Sequence, residues 1–228
     1  MSESDSFIEE VTEEVRRDRL YALMRRYGWI AVLAILLLVG GAAWNEWRKA
    51  QAEARAEAFG DAILVALAGP DAAARAAALD AIEAPGPGGA AVVDLLAAAE
   101  QAATDPAAAA ARLLEVADRA GVPQVYRQIA TLKAVALPDS GLSVEGRRAR
   151  LEPLASGAGL LRLLAEEQLA LLDLEAGARA AALDRLAALA LDAEATAALR
   201  RRVTQAIVAL GETPPAMPGT QNDLPAGQ

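Results

Sequence analysis

The chain contains neither cysteine nor histidine. Without cysteine there is no disulfide, no thiolate nucleophile and no zinc–thiolate site. The compartment stays open, because an oxidising compartment permits disulfides without requiring them. Without histidine the chain lacks the commonest general base and the commonest metal ligand. Basic residues are outnumbered, 22 against 31 acidic, for a net charge of −9. A phosphate backbone needs clustered cations, so a nucleic-acid partner is not expected. A phosphate-binding glycine loop is missing too. Gly157 and Gly159 stand alone, and the run Gly86 to Gly89 is not followed by Lys-Ser or Lys-Thr. Glu166 and Glu167 are neighbours, but adjacent residues on a helix diverge by ~100° and do not share a site. No catalytic, cofactor-binding or metal-ligating residue is nominated, and the chain is not expected to be an enzyme.

Aromatics make up only 4% of the chain, and all three tryptophans fall in one stretch, Tyr27 to Trp47. From Tyr27 to Asn45 nothing is charged. As a helix this run measures about 28 Å at 1.5 Å per residue, close to a bilayer's hydrocarbon thickness. Tyr27 and Trp29 lie before it, Leu36 at its middle, Trp44 and Trp47 after it. Amphipathic rings at both ends form the belt of a spanning helix. These five residues are the candidate membrane anchor. A buried core helix and a cleaved signal peptide, with Gly41-Ala42-Ala43 as cleavage site, are the competing readings. Near the span, Arg16, Arg17, Arg19, Arg25 and Arg26 precede it, while Arg48, Lys49 and Arg55 follow. Five against three puts the N-terminus in the cytoplasm.

The remainder reads as all-α, because alanine dominates and is the best helix former. Residues 1–26 form a cytoplasmic tail with an amphipathic helix. Ser6 to Glu9 matches a capping box, and Ile8, Val11, Val15, Leu20, Leu23, Met24 and Tyr27 follow at helical spacing. Residues 27–47 are the transmembrane helix. Residues 48–88 carry a polar stalk, helical to about Ala58, and a first helix pair. In that pair Phe59, Ile63, Leu64 and Leu67 form the apolar face, and Asp71 caps a helix running to about Ile82. Pro85 to Gly89 reads as the sharpest break. Residues 89–211 repeat with a period near 34, from helix starts near Gly89, Pro123 and Ala158. Overlaid at 34, Val92 meets Tyr126 and Leu160, Leu95 meets Ile129 and Leu163, Leu96 meets Ala130 and Leu164, and Ala103 meets Leu137 and Leu171. These read as core positions. Second helices follow at 106–120, 143–155 and 178–191, the first with Asp105 as N-cap and Pro106 at N1. On them the register drifts, Arg147 and Arg148 falling on Leu113 and Leu114. A helix–turn–helix period of 34 predicts a tetratricopeptide-like α-solenoid of three degenerate repeats. A capping helix over 195–210 closes it, with Leu199, Val203, Ala206 and Ile207 on one face, and Gly211 stops it. Residues 212–228, rich in proline and glycine, read as disordered.

The short charged tail, the anchor ending in Trp44, Asn45 and Trp47, the stalk and the degenerate repeats together resemble the ancillary SecYEG translocon subunit family, the YfgM-like proteins of Gram-negative bacteria. Asp5 to Leu33 resembles its alphaproteobacterial branch. The resemblance implies a single-pass protein of the bacterial inner membrane with its repeat domain in the periplasm. It also implies contact with translocon subunits and a membrane-anchored periplasmic chaperone, to which secreted proteins would pass. It brings no catalytic residue. The expected function is a scaffold or binding protein. An adaptor for another envelope machine, such as outer-membrane assembly or cell division, is the alternative. Solenoids bind along the groove of their first helices, where Gln124, Arg127, Lys133 and Glu166 are the candidate polar positions. Gly40 to Ala43 offers small residues for helix contact within the membrane.

Overall fold

The computed structural model describes residues 3–215, with side chains from Tyr21 onward apart from 22, 23 and 31. Every element among them is a helix. They run in the order α1 (Glu3–Leu67), α2 (Ala72–Asp80), α3 (Gly86–Gln101), α4 (Pro106–Asp118), α5 (Gln124–Ala136), α6 (Val144–Ala155), α7 (Gly159–Glu175), α8 (Arg179–Leu191) and α9 (Ala197–Ala209). The chain divides into two compact units, Met1–Ala58 and Phe59–Gln228.

The first unit is part of α1. Tail, apolar run and stalk belong to one unbroken helix that continues through Gly60 to Leu67. Ser6 lies inside this helix, so it is not the cap expected for it. Between Glu3 and Ser6 no glycine or proline stops the backbone, and acids there suit a helix N-terminus. The predicted apolar face of 8–23 lies outside the described side chains; Met24 and Tyr27 are exposed.

The second unit builds its core from leucine and alanine. Phe59, Ile63, Ala66 and Leu67 at the end of α1 pack with Leu79 of α2 and Val93 and Ala97 of α3. Leu64, expected on that face, is exposed, and Ala66 is buried in its place. Each later helix packs on its sequence neighbours, and the first helices also touch one another, α3 with α5 and α5 with α7. The caps follow the chemistry of their residues. Asp71 accepts from the Ala74 amide at 2.7 Å, Asp105 from Ala108 at 2.9 Å and Ser143 from Gly146 at 3.0 Å. Thr196 caps α9 through the Leu199 amide at 3.2 Å. Such caps satisfy amides that have no partner within the helix. Gly121, Gly177 and Gly211 stand at φ 83°, 76° and 80°, where a side chain would be strained.

The repeat differs from a uniform 34. The second helices have N-caps at Asp71, Asp105, Ser143 and Ala178, spaced by 34, 38 and 35 residues. The later first helices have theirs at Pro85, Pro123 and Ala158, spaced by 38 and 35. Within each of these three pairs, first N-cap to second N-cap is always 20 residues. All variation lies in the second helix and the turn after it. In this register Leu79, Leu113, Leu151 and Leu186 are equivalent, and all are at most 4% exposed. The overlay of arginine on leucine was therefore a register slip. The break lies earlier than the run Pro85 to Gly89: the chain is non-helical over 81–85, and α3 already starts at Gly86, with Pro87 in its first turn. Of the overlaid positions, Ala130 and Leu163 are buried, whereas Ala103, Leu160 and Leu171 are exposed.

Candidate interaction surfaces

The exposed part of α1 is the first surface. Tyr27, Trp29, Leu36, Trp44 and Trp47 are 50–64% exposed. The Trp44 and Trp47 rings lie 5.1 Å apart and tilted by 38°, and the Arg26 guanidinium sits 5.8 Å from the Tyr27 ring centre. Among the described residues, one helical stretch, within Met24–Leu67, is long and apolar enough to cross a membrane, and none of its most apolar window is buried. A core helix would bury such a run, so this protein's own packing does not account for it. Gly40 and Gly41 meet nothing on this helix.

The second surface is built by the first helices, and ion pairing sorts its charges. Arg112 of α4 binds both Asp80 of α2 and Asp94 of α3. Arg150 of α6 binds Asp118 of α4 at 2.5 Å. Arg112, Arg150 and Arg185 are equivalent, each just before a buried leucine. Arg185 turns instead to Glu166 at 2.6 Å and to Asp173 at 2.9 Å. Asp173, among the most buried carboxylates of this unit, also takes Arg148 at 2.6 Å. Glu167 is held by a fork from Arg202 of α9, with both contacts at 2.5 Å. Glu166 and Glu167 thus do diverge, one towards α8 and the other towards α9. The long Arg202 stem reaches back from α9 onto α7.

These pairs set the charge states. The Arg150 hydrogen bond holds the Asp118 carboxyl below the usual carboxylate range. Hydrogen bonds from Arg162 and from the Glu194 amide do the same for Asp192. Opposite charge and hydrogen bonding both favour the ionised form.

The four candidate groove residues do not gather into one site. Gln124 is exposed at the start of α5. The Arg127 Nε is buried without a hydrogen-bond partner. Glu166 is tied to Arg185. Lys133 stands on the rim of a cleft of about 250 Å³ between α3 and α5. Its walls are Leu95, Ala98, Ala99 and Ala102 on one side and Ala136, Leu137 and Pro138 on the other, with Leu113 behind. Polarity alone pointed to Lys133; the alanines that make the cleft carried no signal of their own. A second recess between α7 and α8 is lined by Arg162, Glu166, Asp184, Arg185 and Asp192, and its charges largely satisfy one another. No group of residues suited to hold a metal ion occurs among the described residues.

The sequence model of the tetratricopeptide repeat-like domain matches residues 25–138, half of the chain. The match begins ahead of the apolar run and ends just past α5. No curated protein and no solved structure matches the chain. Helix pairs in a 34–38-residue register, packed neighbour on neighbour, agree with that match in kind. The chain belongs to the tetratricopeptide repeat-like domain family.

Proposed function

We propose that this protein is a non-enzymatic scaffold that holds a protein-binding solenoid at a membrane. Tetratricopeptide-like domains are typically non-catalytic modules that mediate protein–protein interaction. The observation that carries the reading is the continuity of α1. One helix bears an exposed, uncharged run of membrane-spanning length and, further on, the residues that begin the solenoid's core. The family match includes that run, which supports the anchor as part of the domain and not a removable leader. Anchoring confines binding to the membrane surface and raises the effective concentration of partners there, to the order of millimolar for short tethers.

In its specific form, the proposal is an ancillary subunit of the Sec translocon in a bacterial inner membrane. Residues 1–26 lie in the cytoplasm, 27–47 cross the bilayer, and the repeats stand in the periplasm, where they pass secreted chains to a membrane-anchored chaperone. The resemblance in residues 5–60 and the excess of arginine before the span support it. Affinity purification of the full-length chain from membranes in mild detergent tests it, beside a variant with Tyr27 to Trp47 replaced by an unrelated anchor. Co-purifying translocon subunits and a periplasmic chaperone are the expected result. Recovery of only division or outer-membrane assembly factors keeps the scaffold but moves it to another machine. Loss of partners in the swapped variant assigns the contact to the span.

A further inference from the structure

We propose that one edge of the second unit rests on a lipid surface, through a row of exposed apolar residues at the starts of its first helices. The proposal goes beyond the scaffold reading but rests on its membrane anchor. The row follows from the repeat. Two residues past the N-caps Pro85, Pro123 and Ala158 stand Pro87, Val125 and Leu160, all exposed. Val125 is 49% and Leu160 51% exposed. Leu191, the last residue of α8, is 49% exposed at the same edge, because each second helix ends where the next first helix begins.

The helix starts lie side by side. A Cβ on Gly88 would stand 3.7 Å from Pro123 and Tyr126, so the starts of α3 and α5 adjoin. A Cβ on Gly89 would stand 3.5 Å from Phe59, the first residue of the second unit. The α1 helix therefore enters this unit at the edge that carries the row. Lipid is the occupant because the apolar run precedes Phe59 on the same unbroken helix. Trp47 stands twelve residues ahead of Phe59, about 18 Å of helix, and spanning helices tilt by about 20° on average. Such a tether keeps the edge within reach of the headgroups. Apolar side chains gain from burial at the boundary of headgroups and acyl chains. The charges of the edge do not oppose this. Asp80, Asp118, Asp192 and Glu194, at the ends of second helices, are all held by arginine.

The test uses the full chain in phosphatidylcholine nanodiscs, with single introduced cysteines carrying an environment-sensitive fluorophore. Val125→Cys and Leu160→Cys report the edge. Ala176→Cys, exposed in the turn between α7 and α8, reports the opposite edge, and Leu36→Cys reports the span. A nitroxide on the lipid headgroup is expected to remove most of the emission at 125 and 160 and little at 176. A nitroxide deep in the acyl chains is expected to quench the label at 36. Ala198→Cys, at the equivalent exposed position of α9, reads the edge with the row intact. Its quenching should be lost when Val125→Glu and Leu160→Glu are combined. Both positions are exposed, and unchanged thermal melting shows that this variant folds. Quenching at 125 and 160 no greater than at 176, with 36 still quenched, overturns the proposal and leaves the anchor standing. So does blue-shifted emission at 125 and 160 without quenching, because protein and not lipid then covers the edge. Quenching at 198 that survives the two glutamates overturns the role of the row. If the label at 36 escapes the deep nitroxide, the anchor fails and the edge contact falls with it.

Discussion

At the scale of single residues, arginine pairs the carboxylates of the second unit. Most of its pairs are partly exposed, where an ion pair contributes only about 0–1 kcal/mol. Asp173 is different, because its carboxylate is 6% exposed between Arg148 and Arg185. Removing either arginine leaves a buried charge short of partners, which costs more than the exposed pairs contribute. The pair of Asp118 with Arg150 gives a pH signature with a definite sign. Arg150 lowers the folded-state pKa of Asp118, while the unfolded chain keeps a value near ~3.9. The stabilisation is therefore complete above the unfolded value and is lost as pH falls through the folded one. In Arg150→Gln the lowering by the guanidinium is gone, and the contribution it brings is absent at every pH. Melting temperature followed from neutral pH to below ~4 should show a small deficit for the variant at neutrality that closes in acid. A deficit constant across the range would mean that Arg150 acts through packing alone.

At the scale of the element, the second helices share one buried leucine. Leu151 is fully buried and packs with Val135, Ala165, Leu169 and Leu172 from the flanking first helices. Leu151→Ala should cost about 2–5 kcal/mol, the usual penalty for a core cavity. Leu191→Ala, at a site 49% exposed, should cost far less; urea unfolding of both variants reads the difference. Equal costs would sink the register of Leu79, Leu113, Leu151 and Leu186. That register was only partly legible in the sequence. Caps and stops were readable because they rest on local chemistry: Asp71, Asp105 and the turn glycines 121, 177 and 211 stand where expected. The helix starts at 123 and 158 carry no side-chain cap and were readable only from the recurrence of the apolar pattern. The spacing was not, because an alanine-rich helix gives little contrast between its faces and an overlay at 34 matches about as well as one at 38. Leu64 failed similarly, since leucine looks like core and alanine does not, yet Ala66 is the residue that packs. Of the groove residues, Glu166 was lost to an ion pair with Arg185 on the next helix, which depends on tertiary geometry. The Lys133 cleft consists of what its neighbours lack, and only the folded chain displays it.

At the scale of the whole molecule, one continuous helix carries both the apolar run and the first core residues of the solenoid, so on the proposed reading the orientation of the run decides which side of the membrane the solenoid serves. The basic residues make the forecast. Arginines at 16, 17, 19, 25 and 26 precede the span, against Arg48, Lys49 and Arg55 beyond it, and the side richer in Lys and Arg stays in the cytoplasm. The seven acids of the tail do not reverse this, because acids contribute little to the rule. The absence of cysteine means that any label on the chain itself, once purified from the labelled vesicles, sits on the introduced thiol. Ser4→Cys marks the tail, and Glu212→Cys marks the exposed turn after α9. In right-side-out vesicles from expressing cells, a membrane-impermeant maleimide should label the variant at 212 and spare the one at 4; inverted vesicles should give the opposite. The reversed pattern would place the solenoid in the cytoplasm and end the case for handing on secreted chains, while leaving an anchored scaffold. Labelling of both sites in right-side-out vesicles would mean that the run does not cross the membrane. The exposed tryptophans at its ends would then need a protein partner in place of lipid.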